Sequence, residues 1–394
     1  MNTVRAAALA AGLVVIAATS WAEEGALQAC KNHYILRCEI SALEWTPAAA
    51  PLLNHHGGAV ATLLEDGRVL VVGGASSGGG AEIYDPVIDR WILAAPMSVT
   101  RVHHRAVRLR DGRVLVIGSE TMPGSDAGAT AEIYDPARDT WTATPPLNFH
   151  RRTWTRGDLT ANLLPDGSVL VIGGHDPGWN VRAETEVYDP ATDTWRVTGR
   201  LASGRVGHSA TTLADGSVLA VAGVADWEGP WGVPTVELYD PATGEWRTLG
   251  STRPRVNHIA TLVADGSVLI AGGQPACCSP GPNNGASWPW GESLLYDPAR
   301  PESVSIAELP SPRYQYGAVA HPGGLLVVGG YLDQVAAAPA ARVEQSEHYD
   351  ADSRRWSAIQ EIGERPLYEP FSATPIGNGR ILFIGPLGAY LLSY

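Results

Sequence analysis

The chain has 394 residues, 45% hydrophobic and 18% charged, an ordinary balance for a folded protein. Its formal net charge is −13, and its basic side is nearly all arginine, with Lys31 the one lysine. That balance argues against non-specific nucleic-acid binding, which needs a basic field.

In chain order, residues 1–22 read as a secretory signal peptide. Arg5 gives a positive start, Ala6 to Ala18 an apolar stretch, and Ser20-Trp21-Ala22 a small-residue cleavage site before Glu23-Glu24. The apolar run is short for a span of ~20 residues, and no other transmembrane candidate follows. A secreted or periplasmic protein, cleaved after Ala22 and without a membrane span thereafter, is expected. Four cysteines in an exported chain (Cys30, Cys38, Cys277 and Cys278) point to two disulfides, with three connectivities open.

From residue 23 onward one unit recurs. Its fullest copy runs from Val206-Gly207-His208-Ser209 through Asp215-Gly216 to Ala222-Gly223, then, after a variable stretch, through Tyr239-Asp240-Pro241 to Trp246. Asp-Gly marks a tight hairpin between strands a and b, because such a turn needs positive φ. Strand b is an almost unbroken apolar run, as in a strand covered on both faces. Gly-Gly after it permits close backbone approach. Tyr-Asp-Pro ends strand c, where Asp caps the turn and Pro stops the pairing. Strand d carries a Trp that fills the wedge between neighbouring sheets.

Copies centre on Asp66-Gly67, Asp111-Gly112, Asp166-Gly167, Asp215-Gly216 and Asp265-Gly266, with weaker ones at Gly323-Gly324 and Asn378-Gly379, which makes seven. Trp91, Trp141, Trp195, Trp246 and Trp356 hold the strand-d register, with spacings of 50, 54 and 51 over the first four. The fifth copy lacks the Trp, near Val304–Ile306, residue 305. The seventh ends without a strand d. At the other end Ile40–Trp45 reads as an orphan strand d, and Trp45 precedes Trp91 by 46 residues. The N-terminal strand is therefore expected to complete the last blade and seal the ring.

A period near 50 with Gly-Gly, Tyr and Trp at fixed places, and Arg just before strand a, resembles kelch repeats. The resemblance covers nearly the whole of residues 23–394 and implies an all-β, seven-bladed kelch-type β-propeller, an architecture shared with the galactose oxidase superfamily.

In such a ring the long connections lie between strands b and c: Ser119–Ala131, His175–Glu184, Val224–Val236, Gln274–Glu292 and Tyr331–Gln345. They open on one face with the d–a connections, and loops on a rigid scaffold commonly carry function. That face holds tryptophans the blade register does not require, Trp179, Trp227, Trp231, Trp288 and Trp290, suited to sugar stacking or partner anchoring. It also holds an arginine ring, Arg101, Arg205, Arg255, Arg313 and Arg365, with Arg152 or Arg156 in the displaced third unit. Arg presents a planar donor fork to carboxylates, and these residues are candidate ligand donors alongside the tryptophans; pairing within the blades is the competing reading. His104, His208 and His258 recur at the start of strand a, with His103 and His175 nearby. Their repetition with the blade favours packing over metal binding, and neither metal nor cofactor is expected. The topology puts Cys277-Cys278 on the loop face and Cys38 on the opposite one, so the expected pairs are Cys30–Cys38 and a vicinal Cys277–Cys278 bridge.

The function expected is a binding scaffold for a glycan or protein partner. The alternatives are enzymes. A sugar epimerase or mutarotase would need an acid/base pair at the channel mouth, where Glu369, Glu228, His175 and Asp176 are available. A copper-radical oxidase of the galactose oxidase type implies a Tyr-His ligand pair and a Tyr cross-linked to Cys; the sequence has His33-Tyr34 and His348-Tyr349 but no Tyr-His.

Overall fold

The structure, a computed structural model, describes residues 44–53, 58–74, 79–119, 127–153, 155, 157–226, 232–276, 289–300, 302–306, 308–314, 317–321, 324–331, 345–361, 372–385 and 388–393. The proposed signal peptide and all four cysteines lie outside these residues.

Seven four-stranded antiparallel sheets follow one another along the chain. Strands a to d are Val60–Leu63, Val69–Val72, Ala81–Asp85 and Arg90–Ala94 in blade 1, and Arg105–Arg108, Val114–Ile117, Ala131–Asp135 and Thr140–Ala143 in blade 2. Blade 3 has Leu159–Leu163, Val169–Gly173, Glu184–Asp189 and Thr194–Arg200; blade 4 has Ser209–Thr212, Val218–Val221, Thr235–Asp240 and Glu245–Ser251. Blade 5 has Ile259–Leu262, Val268–Ala271, Ser293–Asp297 and Glu302–Ile306, and blade 6 has Gly317–His321, Gly324–Val328, Gln345–Asp350 and Arg355–Glu361. Blade 7 combines Ser372–Gly377, Arg380–Gly385 and Gly388–Ser393 with Glu44–Pro47 from the other end of the chain.

Glu44–Pro47 pairs antiparallel with Gly388–Ser393, and Trp45 sits opposite Leu392 and 5.0 Å from the Phe383 ring. The closure expected from Trp45 is thus made. Joining the two ends in one sheet leaves no open seam in the ring.

Strand b is fully buried in blades 1 to 6 because its two faces serve different neighbours. Val69 and Val71 pack in the core shared with blade 7, while Leu70 and Val72 pack in the core shared with blade 2. Each such apolar side chain contributes roughly 1.5–3 kcal/mol on burial. Strand-d tryptophans lie opposite the strand-c tyrosines: Tyr84 and Trp91, Tyr134 and Trp141, Tyr188 and Trp195, Tyr239 and Trp246, Tyr349 and Trp356. The indole N–H reaches the preceding blade side, as from Trp91 to the Ala49 carbonyl and from Trp141 to the Ala95 carbonyl, both at 2.7 Å. In blade 5 the position opposite Tyr296 is Ser303, two residues before the place the spacing indicates. The a strands of successive blades lie against one another and line the central channel. No helix among the described residues is long and apolar enough to cross a membrane.

Candidate functional site

The arginine ahead of strand a points into its own blade. Arg101, Arg151, Arg205, Arg255 and Arg313 are all fully buried. In blade 4 the Arg205 guanidinium donates to the carbonyls of Ala222 and Thr235 and to the Thr235 hydroxyl, and it pairs with Glu237. The second oxygen of Glu237 accepts the Ala202 N–H, 2.8 Å away in the connection that enters the blade. Arg101 with Glu132, Arg151 with Glu186, and Arg313 with Glu347 repeat this arrangement, with backbone N–H groups of Ser98, Asn148 and Ser311 on the carboxylates. Each unit staples strands b and c to the incoming connection. Blade 5 departs from it: Leu294 holds the Glu register, and Glu292 supplies the carboxylate from the loop end. Burial pulls the Arg101, Arg151 and Arg205 guanidinium pKa values down, and the facing glutamates push them back up.

This placement decides between the two readings of the arginine ring. Arg101, Arg205, Arg255 and Arg313, candidate ligand donors by sequence, have their guanidinium groups inside the blades, with none of their surface on the loop face. Arg365 lies outside the described residues. In the third unit the staple is Arg151 rather than Arg152, and Arg156 lies outside the described residues. The glutamates that complete the staples were in plain view as Glu-x-Tyr at 132, 186, 237 and 347, with the same period as the tryptophans; Glu82 holds the same place in blade 1 and accepts the N–H groups of Leu52 and Leu53.

The recurring histidines are structural in the same way. His208 Nε2 is 3.1 Å from the Thr160 hydroxyl of blade 3, and His258 Nε2 is 2.8 Å from the Ser209 hydroxyl of blade 4. Burial, reinforced by Arg205, holds His208 well below the usual histidine range; burial with Arg255 brings His258 down to about 3. Both are neutral at pH 7. Gly173 makes room for one of them: a Cβ there would lie 2.7 Å from His208 Cε1 and 2.5 Å from the Asp158 carbonyl, and its φ is +80°.

Blade 3 breaks the pattern. From Arg to the His register is three residues in blades 2, 4 and 5, but eight from Arg151 to Leu159. Leu159 takes the place of His208, and Arg105 of blade 2 takes the place of Thr160 or Ser209. Where the neighbouring seams set a histidine against a hydroxyl, this one sets Leu159 near Arg105, with Asp158, one residue before Leu159, acting on the Arg105 charge. Burial brings the Arg105 guanidinium down to about 10, with Asp158 opposing the shift. Asp158 accepts the Thr155 N–H and hydroxyl at 2.8 Å each and lies 3.6 Å from His175 Nε2. Asp158 and His175 are 0% and 2% exposed.

His175 opens the b–c loop and exchanges both backbone hydrogen bonds with Arg152 at 2.9 Å. A tight turn follows. Asp176 Oδ1 accepts the N–H groups of Gly178 and Asn180 at 2.8 and 2.9 Å, and its carbonyl accepts the Trp179 N–H at 3.0 Å. Trp179 is held at φ +65° and is 44% exposed. Its ring meets His175 edge-on at 5.5 Å, and the Arg152 guanidinium lies 5.9 Å from its centroid. Phe149 sits nearby between Arg151 and Arg182, 5.6 and 5.4 Å from their guanidinium carbons. Trp290 is half-buried over Arg253 and Arg255. Trp227, Trp231 and Trp288 lie outside the described residues. The channel beside the blade-3 insertion holds a cavity of about 680 Å³, lined by His103, Arg105, Thr155, Thr160, Asn162 and His258 among others. Among the described residues no three His, Cys, Asp or Glu converge as a metal ion requires.

Fold and site together define a seven-bladed β-propeller with one elaborated face. A kelch motif matches residues 163–201, the end of strand a through strand d of blade 3. The chain is 35% identical over 95 residues to the Kelch-like protein terF of Aspergillus terreus, covering 21% of this chain and 20% of that protein. It is 23% identical over 193 residues to human Kelch-like protein 23, covering 49% and 31%, and 26% identical over 296 residues to β-scruin of Limulus polyphemus, covering 72% and 30%. The matches thus span a fifth to about a third of those relatives' own lengths. Among solved structures, a copper-bound fungal alcohol oxidase of the AA5 family superposes with a TM-score of 0.68 at 17% identity, covering 89% of this chain and 76% of that one. YjhT superposes at 0.59 and 14% identity, covering 79% and 99%. At such identities the likeness is one of fold. The chain is a kelch-repeat β-propeller.

Proposed function

We propose that the protein is a non-catalytic recognition scaffold whose loop face binds a glycan or protein partner, with the contact centred on blade 3. The observation that carries this reading is Trp179. A turn locked by Asp176 and backed by His175 presents an exposed indole with Arg152 against it, beside the channel mouth. An aromatic ring fixed before binding loses little entropy on contact, and Trp and Arg are the commonest binding hot spots. Export from the cytoplasm belongs to the same proposal, on the composition of residues 1–22.

Catalysis is supported less well. Of the acid/base candidates, His175 is sealed from solvent against Asp158, and Asp176 holds the N–H groups of the turn that carries Trp179. Glu228 and Glu369 lie outside the described residues. The donors present do not fit copper: the Nε2 atoms of His208 and His258 are spent on hydroxyl groups, and the sequence offers no Tyr-His pair.

A thermal-shift screen over neutral and acidic oligosaccharides and peptides, repeated with Trp179→Ala, tests the proposal. A ligand that stabilises the wild type and not the variant supports it. Equal stabilisation of both moves the contact elsewhere, and chemical turnover of a bound sugar replaces the scaffold with an enzyme.

A further inference from the structure

The seam between blades 6 and 7 is built differently from the others. The residue before each strand-c tyrosine faces the next blade. It is Ile83, Ile133, Val187, Leu238 and Leu295 in blades 1 to 5, each packed in an apolar interblade core. In blade 6 it is His348, opposite Leu326. The residue that closes strand a onto strand b is Leu64, Leu109, Leu164, Leu213 and Val263 in blades 1 to 5, in those same cores. In blade 6 it is His321. The two departures meet: the His321 and His348 rings stack with centroids 4.9 Å apart and 25° between planes. Two aliphatic positions have become an imidazole pair at one seam of the ring.

That seam is the one against the closing blade. Leu326 and Val319, on the same face of blade 6, pack on Trp45, Ile381, Phe383 and Leu392 of blade 7. Blade 7 is also the sheet assembled from both chain ends, so it lacks the covalent continuity of the other six. The groups blade 7 presents here are apolar. The described charged group acting on the pair is Asp350, at the end of the strand that carries His348.

We propose that the His321–His348 stack is an acid-sensitive latch, and that its protonation loosens the seam between blade 6 and blade 7. Neutral imidazoles stack and fill the space of the leucines. A charged one must be desolvated in an apolar seam, beside a ring that can charge as well. Burial first, then His348, holds His321 down to about 4 against the pull of Asp350; burial lowers His348 too. A depressed folded pKa means that the opened seam takes up protons that the closed one refuses. The stabilisation is therefore complete above the unfolded value of ~6.5 and is lost as pH falls toward 4. Between pH 7.5 and 5, His321 alone raises the opening equilibrium about 30-fold.

Other buried histidines titrate too, so the test must be local. Hydrogen–deuterium exchange of the intact protein, corrected for intrinsic rates, is compared at pH 7.5 and 5. Peptides from 44–47 and 372–393 are expected to exchange at least ~10-fold faster at pH 5, with strands b of blades 3 and 4 unchanged. His321→Leu with His348→Leu, which restores the side-chain type of the other seams, is expected to reduce that change below ~3-fold; the single variant His348→Leu serves if the pair fails to fold. An equal pH response in all blades, or a blade-7 response that survives the substitution, overturns the proposal.

Discussion

Blades 3 and 4 are neighbours built on one plan, and they differ where a ligand would arrive. Both staple their incoming connection with a buried Arg–Glu pair, and both lay a strand-d Trp opposite a strand-c Tyr. In blade 4 the chain goes from Arg205 to His208 directly, and His208 rests neutral against Thr160. In blade 3 five more residues intervene, the His register becomes Leu159, and the loop beyond it displays Trp179. Repetition in this molecule marks architecture, and the interruption is where the proposed contact lies.

The comparison can be broken at its strongest point first. Arg205→Ala in blade 4 leaves Glu237 buried without its cation, and is expected to cost about 3–5 kcal/mol in urea unfolding. A loss below ~1 kcal/mol would mean the staple is not what holds the connection. In blade 3 the cost moves from stability to binding. Trp179→Ala is expected to weaken ligand binding by about 30-fold in calorimetry, while its unfolding free energy stays within ~0.5 kcal/mol of wild type. Asp176→Ala leaves the indole in place but frees the turn that aims it, and about a 5-fold loss of affinity is expected, in the dissociation rate more than the association rate. Ile88, exposed on the c–d turn of blade 1, serves as the control: Ile88→Lys is expected to change stability and affinity by less than ~0.5 kcal/mol each.

Blade count, hairpins and ring closure were legible in the sequence because they depend on local signals that repeat: Asp-Gly turns, apolar b strands, and Trp45 one period ahead of Trp91. The arginine ring was legible as a pattern, but its direction was not, because Arg serves equally well as a ligand fork and as a buried staple. What settles its role is Glu132, Glu186, Glu237 and Glu347, roughly 30 residues downstream and brought close only by the fold. The third unit misled for a related reason. Three arginines, Arg151, Arg152 and Arg156, stand close together ahead of strand a, and only the buried contact with Glu186 picks Arg151. Trp179 was legible as a spare aromatic, whereas the turn that fixes it depends on Asp176 and on a backbone bridge to Arg152 across the blade. The His321–His348 pair was hidden because its members are 27 residues apart in sequence and stand out only against the aliphatics of the five preceding blades.

The account rests on recognition being centred on blade 3. Its most direct measurement is a hydrogen-exchange footprint of the wild-type protein with a ligand found in the thermal-shift screen. Protection concentrated in residues 149–182, with the c–d turns of the opposite face unchanged, is the predicted result. A footprint on the c–d and a–b turns that leaves 149–182 untouched would contradict it.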